Sequence, residues 1–386
     1  MGAFGFELLR TDGAARLGRM HTARGSVDTP AFMAVATQGS VKSLLPADLR
    51  AAGAQIVLAN TYHLWLRPGA EVIRELGGLH RFMAWNGPIL TDSGGFQVWS
   101  LAKLRTISED GVEFRSHVDG SLRVLTPESC VEIQRALGVD IIHPLDECLA
   151  QPATEAETER SLALTTKWLI RAREAHRRGE GPDQALFAIV QGGVSEALRR
   201  RAVAEAVALD FPGYSIGGLA VGETRDRMYD VTELVAGLLP ADRPHYLMGV
   251  GKPPDLIEAV ARGVDLFDCV LPTRNARNGQ VFTPDGPLTI GNARFARDPA
   301  PIDAECPCEA CRLFSRAYLR HLFMTRELTA YRLLTLHNVT FYLGLMAAMR
   351  RAVSEGRFRA FRARFLDRYG VESGRDFEAN HADTEA

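Results

Sequence analysis

The stretch VDLFDCVLPTRNARNG, residues 264–279, starts as a short apolar run, meets an aspartate, Asp268, and passes through a proline into a polar, basic segment. Val264 to Phe267 has the length and composition of a buried strand, and a carboxylate just past such a strand stands where parallel α/β folds place their chemistry. The same grammar recurs along the chain. Strand candidates are Gln55 to Ala59, Pro88 to Thr91, Asp140 to Leu145, Leu186 to Val190, Tyr214 to Gly217, Tyr246 to Met248, Val264 to Phe267 and Pro287 to Ile290. That count is about the eight of a closed parallel barrel. Between strands lie amphipathic helices. Thr126 to Leu137 opens on Thr-Pro, and Thr154 to Arg178 begins acidic and ends basic, which suits the helix dipole. Alternating strands and helices predict an α/β fold, and on this reading a barrel and a doubly wound sheet both remain open. No glycine-rich dinucleotide fingerprint follows the first strand. Residues 1–45, rich in Gly and Thr with short strand-like runs, read as an antiparallel cap, and the polar tail 372–386 is expected to be disordered.

The chain has 386 residues, 46% of them hydrophobic and 24% charged, which excludes disordered, collagen-like and coiled-coil classes. Lysine and arginine (45) nearly balance aspartate and glutamate (47), so any nucleic-acid partner has to announce itself through local clustering. No apolar run approaches a membrane span, and MGAFGFELLR lacks a basic segment followed by an apolar one; a cytoplasmic location is expected. Cys130, Cys148 and Cys269 are scattered, whereas Cys306, Cys308 and Cys311 crowd together, a pattern of metal binding and not of a disulfide framework.

Polar residues stand at or just past the strand ends: Asn60 and His63, Asp92 in TDSGGFQ, Asp146 in LDEC, Gln191 in VQGG, and Asp268. Singly, each is equally well read as turn or capping chemistry. Together, three carboxylates on one rim repel one another, and a fold that keeps them has a use for them. Two carboxylates beside a glycosidic bond can serve as nucleophile and as acid and base, and a third can read NH groups of a substrate. Glycines beside these positions (Gly94, Gly95, Gly192, Gly193, Gly217, Gly218) suit tight turns or close approach to a flat ligand. Three thiolates and an imidazole make a structural zinc site. His321 would lie roughly 15 Å from Cys311 along one helix, too far for a ligand, while His337 can return by a helical hairpin turning near Thr325 to Leu328. From Arg312 to Arg368 there are twelve arginines, no lysine and three acidic residues, which reads either as a solvated helix face or as a phosphate-binding surface.

NTYHL (60–64), TDSGGFQ (91–97), LDEC (145–148), VQGG (190–193), IGGLAVGE (216–223), MGVGKP (248–253), FDCVLPTRNARNGQ (267–280), the cysteine cluster and LHN (336–338) together resemble the bacterial tRNA-guanine transglycosylases across nearly the whole chain. The resemblance implies a (β/α)8 TIM barrel with an N-terminal antiparallel sheet and an inserted zinc-binding subdomain: cap 1–45, catalytic barrel 46–304, zinc subdomain 305–345, final barrel helices 346–371. It also implies exchange of the wobble guanine of tRNAs with GUN anticodons for the queuosine precursor preQ1, without ATP. By the same resemblance Asp268 is the nucleophile at the ribose anomeric carbon and Asp92 the proton acceptor and donor. The base would be held by Asp92, Ser93, Gly94, Gly95, Asp146, Gln191, Gly218 and Leu219, sandwiched between Phe96 and Met248. Phe96 stands where many members have tyrosine, which keeps stacking and removes a phenol. Gly249, Lys252, Thr273, Arg274, Asn275, Ala276 and Arg277 would contact the anticodon stem-loop, and Cys306, Cys308, Cys311 and His337 would hold one structural Zn2+ per subunit of a homodimer. Val221 and Cys148 fit the bacterial, preQ1-using pattern. A silent RNA-binding subunit and a barrel nucleoside glycosidase are the competing readings. Retention of Asp92, Asp146, Asp268 and the four zinc ligands speaks against the first, and the second would need no basic surface.

Overall fold

The computed structural model describes residues 4–101, 105–179, 181 and 183–370, and the tail read at 372–386 lies outside them. One parallel sheet organises the fold. Going round it, Ala31–Ala36 is followed by Val57–Ala59, Ile89–Thr91, Ile141–Ile142, the run Ala185–Leu186 and Ala188–Val190, Tyr214–Ile216, His245–Leu247 and Leu266–Cys269. The last of these pairs in parallel with the first, Asp268 opposite Met33. Nine ladder segments occupy eight positions. Ala185–Leu186 pairs with Ile141–Ile142 and Ala188–Val190 with Tyr214–Ile216, the two being halves of one strand interrupted only at Phe187. The Phe187 amide still donates to the Ile142 carbonyl (3.0 Å). The sheet therefore closes on itself as a (β/α)8 barrel, as expected, with helices around it.

Side-chain alternation builds two cores. Ala31, Met33, Val35, Leu58, Leu90, Ile141, Phe187, Tyr246 and Leu266 fill the barrel interior. Phe32, Ala34, Ala36, Val57, Ala59, Ile142 and Phe267, one residue out of phase, pack outward against the helices. The antiparallel sheet Gly5–Asp12, Ala15–Thr22 and Gly25–Thr29 sends Phe4, Phe6, Met20 and Val27 onto the interior cluster and so plugs one end of the barrel. Buried Arg16 fastens this sheet to the barrel floor, donating to the carbonyls of Ala241 (3.0 Å) and Arg243 (2.8 Å) and lying 3.3 Å from Asp265.

Two strand assignments differ from the sequence reading. Pro287 to Ile290 is not a barrel strand: Gly286–Thr289 forms an antiparallel hairpin with Gln280–Thr283, turned by Thr283 and Gly286. The strand that completes the eight is the first in chain order, Ala31–Ala36, inside the segment read as cap, because AFMAVA is buried on both faces and shows no polar alternation. A third difference concerns the boundary drawn at 345/346. It falls inside the single 27-residue helix Leu328–Ser354, which packs on both the barrel and the cysteine segment. A small sheet, Arg105–Ser108, Gly111–Arg115 and Leu122–Leu125, is inserted after the third strand. The helices at Pro127–Leu137 and Glu155–Arg178 lie where the capping signals put them, with Thr126 and Thr154 as N-caps.

Candidate active site and metal centre

The parity that fills the interior also aims the carboxylates. Leu90 and Leu266 point inward, so Asp92 and Asp268, each two residues on, point to the same side at the carboxyl end of the barrel. Asp268 is held by its Oδ1, which accepts from the Tyr246 hydroxyl (2.6 Å) and the Gly249 amide (2.8 Å). Its Oδ2 has no hydrogen-bond partner among the described residues. Burial raises the Asp268 carboxyl above the usual range, against those two donors. Asp92 takes the amide of Thr61 on Oδ1 (3.0 Å) and Asn60 Nδ2 on Oδ2 (2.5 Å). Asn60 is also the N-cap of the helix Thr61–Leu66, its Oδ1 accepting from the His63 amide, so one side chain starts the helix and steadies the carboxylate. Burial pushes Asp92 up to about 7, and the charges of Asp268 and Asp146 push the same way. A carboxyl that titrates near neutrality can both give and take a proton under cellular conditions.

Asp146 sits after the fourth strand, its Oδ1 accepting from Ser93 Oγ (2.8 Å) and its Oδ2 from Gln191 Nε2 (2.8 Å). Ser93 in turn accepts from the Gly95 amide (3.0 Å). Burial raises the Asp146 carboxyl. Asp92, Ser93, Gly95, Asp146, Gln191 and the turn Gly217–Leu219 thus form one connected strip across four adjacent strand ends. Glycine is required within it: a Cβ on Gly95 would come within 2.6 Å of the Asp146 carbonyl, and one on Gly218, at φ +66°, would collide with the Gln191 amide oxygen. Phe96, 42% exposed, begins the helix Gly95–Leu101, and half-buried Met248 follows the seventh strand. Gly94, with φ +80°, makes the turn between Ser93 and that helix.

After Asp268 the chain forms the helix Leu271–Arg277. Arg274 is exposed, whereas Arg277 is half-buried with an Nη1 that has no partner. Lys252, exposed, stands at the N-cap position of the helix Pro253–Val260 without a side-chain capping bond. Thr273 and Ala276 are buried, and Asn275 is engaged with Gln280 (2.6 Å), so these three face the protein as much as any ligand.

Cys306, Cys308, Cys311 and His337 present three Sγ atoms and one ring nitrogen within 4.8 Å of one another. His337 Nδ1 lies 3.2 Å from the Cys311 Sγ and 3.7 Å from that of Cys308. Its Nε2 lies 2.8 Å from the Phe282 carbonyl, which fixes Nδ1 as the free face. These spacings are close to the edges of a tetrahedron with metal–ligand bonds of about 2.0–2.3 Å. The donor set suits a closed structural metal site. His321, exposed on the helix Arg316–Met324, takes no part.

Tyr246, Asn60 and Thr61 steady the carboxylates, yet only Asn60 stood out in sequence. Tyr246 reads as an ordinary strand residue, and the Thr61 contribution is a backbone amide, invisible to composition.

A closed parallel barrel with two steadied carboxylates, one poised near neutrality, and a third on a polar strip defines an enzyme of glycosyl-transfer type. The comparisons with known proteins agree. The family model described as queuine tRNA-ribosyltransferase matches residues 12–371. Similar proteins of that name include those of Solidesulfovibrio magneticus, 56% identical over 358 residues (93% of this chain and 96% of that one), and Symbiobacterium thermophilum, 54% over 366 residues (94% and 91%). The one from Thermoanaerobacter pseudethanolicus is 53% identical over 374 residues, 96% of this chain and 99% of the relative. The chain belongs to the queuine tRNA-ribosyltransferase family, the tRNA-guanine transglycosylases, which are pentosyltransferases.

Proposed function

We propose that the protein exchanges the wobble guanine of tRNAs with GUN anticodons, those for Asp, Asn, His and Tyr, for preQ1 in queuosine biosynthesis, through a covalent aspartyl-ribose intermediate. The observation that carries this is the division of labour between Asp268 and Asp92. Asp268, with Oδ1 occupied by Tyr246 and Gly249, offers Oδ2 to the anomeric carbon. The pair of the C1′–N9 bond goes to guanine, which takes up a proton from Asp92. For the return, preQ1 gives a proton to Asp92, its ring nitrogen attacks the anomeric carbon, and Asp268 leaves. Asp146, Gln191, Gly218 and Leu219 read the edge of the base between Phe96 and Met248. Extrusion of the nucleotide costs a few kcal/mol, which backbone contacts must offset. Lys252, Arg274 and Arg277 supply them, with Gly249, Thr273, Asn275 and Ala276 shaping that rim.

The Cys306–Cys308–Cys311–His337 set is read as holding one Zn2+ per subunit in a structural role, since four protein ligands leave no position for water. A homodimer fits the surface. Leu45 (65% exposed) and Leu328 (81% exposed) start the two helices that the Asp48–Arg332 ion pair (2.7 Å) joins, and a second copy would cover them. No helix of the described residues is long and apolar enough to cross a membrane, and a cytoplasmic location goes with a tRNA substrate. Mass spectrometry of tRNA incubated with the protein and isotope-labelled guanine, then with preQ1, tests the function. Label should enter position 34 only, and preQ1 should displace it. Tryptic adducts on Asp268 should appear when exchange is quenched in acid. Unlabelled tRNA after prolonged incubation would overturn the reading.

A further inference from the structure

Arg199, in the first turn of the helix Glu196–Ala208, is wholly buried and has no carboxylate within ion-pairing distance among the described residues, Glu223 acting on it only from further away. A guanidinium removed from water with no counter-ion needs a compensating set of acceptors. It has one: Nε donates to the Gly193 carbonyl (2.8 Å) and Nη1 to that of Val190 (2.8 Å). Nη2 donates to that of Gly217 (2.8 Å) and more weakly to that of Gly218 (3.5 Å). These acceptors are not scattered. The fifth and sixth strands pair in register from Ala188 and Tyr214 to Val190 and Ile216. Only one ladder bond continues past that point, from the Gly217 amide to Val190. Beyond it both chains turn away, and without Arg199 the carbonyls of Gly193 and Gly217 would be buried without partners, while that of Val190 keeps the Gly217 amide. The fork of Arg199 takes over where the ladder ends.

The residues so fixed are those next to the base. Val190 precedes Gln191, whose Nε2 holds Asp146, and Gly217–Gly218 precedes Leu219. Gly192 leaves room for this, since a Cβ there would lie 3.1 Å from the Arg199 amide and 3.3 Å from its Cδ. Burial draws the guanidinium down to about 10, which leaves it charged at neutrality. Five donors in a plane reach carbonyls on two strands at once, which an ammonium cannot.

We propose that Arg199 is the positioning residue of the base-recognition strip: its planar fork sets the spacing between Gln191 and Gly218–Leu219, and through it the affinity for free guanine and preQ1. It touches neither base nor RNA. This rests on the reading of Asp146, Gln191, Gly218 and Leu219 as the base pocket. The test uses full-length protein with Arg199→Lys, which keeps the charge and loses the fork, and Arg199→Ala with 1–10 mM guanidinium chloride, about a hundredfold below denaturing concentrations. In Arg199→Lys the KM for guanine and preQ1 should rise at least about tenfold, with kcat at saturating base and the KM for tRNA changing little, the pattern of lost ground-state binding. Guanidinium should restore part of the base affinity in Arg199→Ala and do nothing for wild type. An unchanged base KM in Arg199→Lys, or a fall in kcat and melting temperature without a change in base KM, would overturn the assignment. Asp146→Ala separates this from the underlying reading. If its base KM is unchanged, the base pocket itself is misplaced; if it rises while that of Arg199→Lys does not, only the role of Arg199 fails.

Discussion

On the proposed mechanism Asp92 is an acid in one half of the reaction and a base in the other, and its surroundings suit one carboxyl to both. Burial alone would hold it protonated; the Thr61 amide and Asn60 favour the anion, and the balance falls near 7. Guanine expulsion needs the protonated form, so single-turnover base release should decline above pH about 7 with the loss of one proton. Asp92→Asn should flatten that limb and lower turnover by about 10²–10⁴-fold. A pH–rate profile with the same upper limb in the variant would remove Asp92 from the proton transfer. The same shift has a cost in stability. The folded-state value lies above the ordinary 3.8, so this contribution is complete below about 4 and is lost as pH rises through about 7. Melting temperature should therefore fall across that window less steeply in Asp92→Asn than in wild type, whatever the offset between them. Asp268→Asn keeps the shape and loses the anion, so exchange should drop by at least about 10⁴-fold while tRNA still binds. Near wild-type exchange in that variant would exclude Asp268 as nucleophile.

At the scale of elements, one helix of 27 residues serves both the barrel and the cysteine cluster. Leu328–Ser354 packs on the barrel strand Ala31–Ala36 and on the helix Leu271–Arg277 that follows Asp268, and it carries His337 to the cysteines. Asn338, next along, donates to the carbonyls of Pro272 (2.9 Å) and Gln280 (3.0 Å) and accepts from the Phe282 amide (3.0 Å). The candidate metal ligand His337 and the contacts that place the loop after Asp268 thus share one helix. His337→Ala should lose the metal and destabilise the protein by on the order of several kcal/mol, whereas His321→Ala should do neither. Elemental analysis with thermal melts decides it, and full activity with substoichiometric metal would refute the structural role. How far sequence reaches is clearest here. His337 could be chosen over His321 because helix geometry is arithmetic, and the carboxylates were legible because strand ends in parallel folds carry function. Ala31–Ala36 was missed because a strand buried on both faces has no period, and a glycine- and threonine-rich neighbourhood drew it into the cap. Pro287 to Ile290 was mistaken for a barrel strand because a short apolar run does not name its partner, and Arg199 was missed because its acceptors are main-chain carbonyls.

At the scale of the molecule, the question is how a chain with a net charge of −2 holds a polyanion. The arginine-rich stretch looks sufficient in sequence, but the fold spends much of it internally. Arg316, Arg332, Arg357, Arg362 and Arg368 are paired with Asp298, Asp48 and Glu309, Glu355, Glu258 and Asp285, respectively. Arg350 and Arg320 donate to main-chain carbonyls. What remains for phosphate is smaller, and Lys252, Arg274 and Arg277 stand on the segments that follow Gly249 and Asp268. If these three are the contacts, log affinity for tRNA should fall against log salt with a slope of about −2, using about 0.7 per phosphate neutralised on a single strand. If the remaining arginines of 312–368 join them, the slope should be about twice as steep or more. Guanine, which the proposed pocket would hold by short buried contacts, should show almost no salt dependence, because screening acts over about 8–10 Å and hardly within a closed pocket. Arg274→Ala and Arg277→Ala should each make the slope shallower by about 0.7 and weaken exchange, leaving guanine affinity as it was. Titrations of both ligands from low to physiological salt measure this directly. A flat tRNA response, or a guanine response of equal slope, would mean that the arginines at this rim serve the fold and that the RNA is held elsewhere.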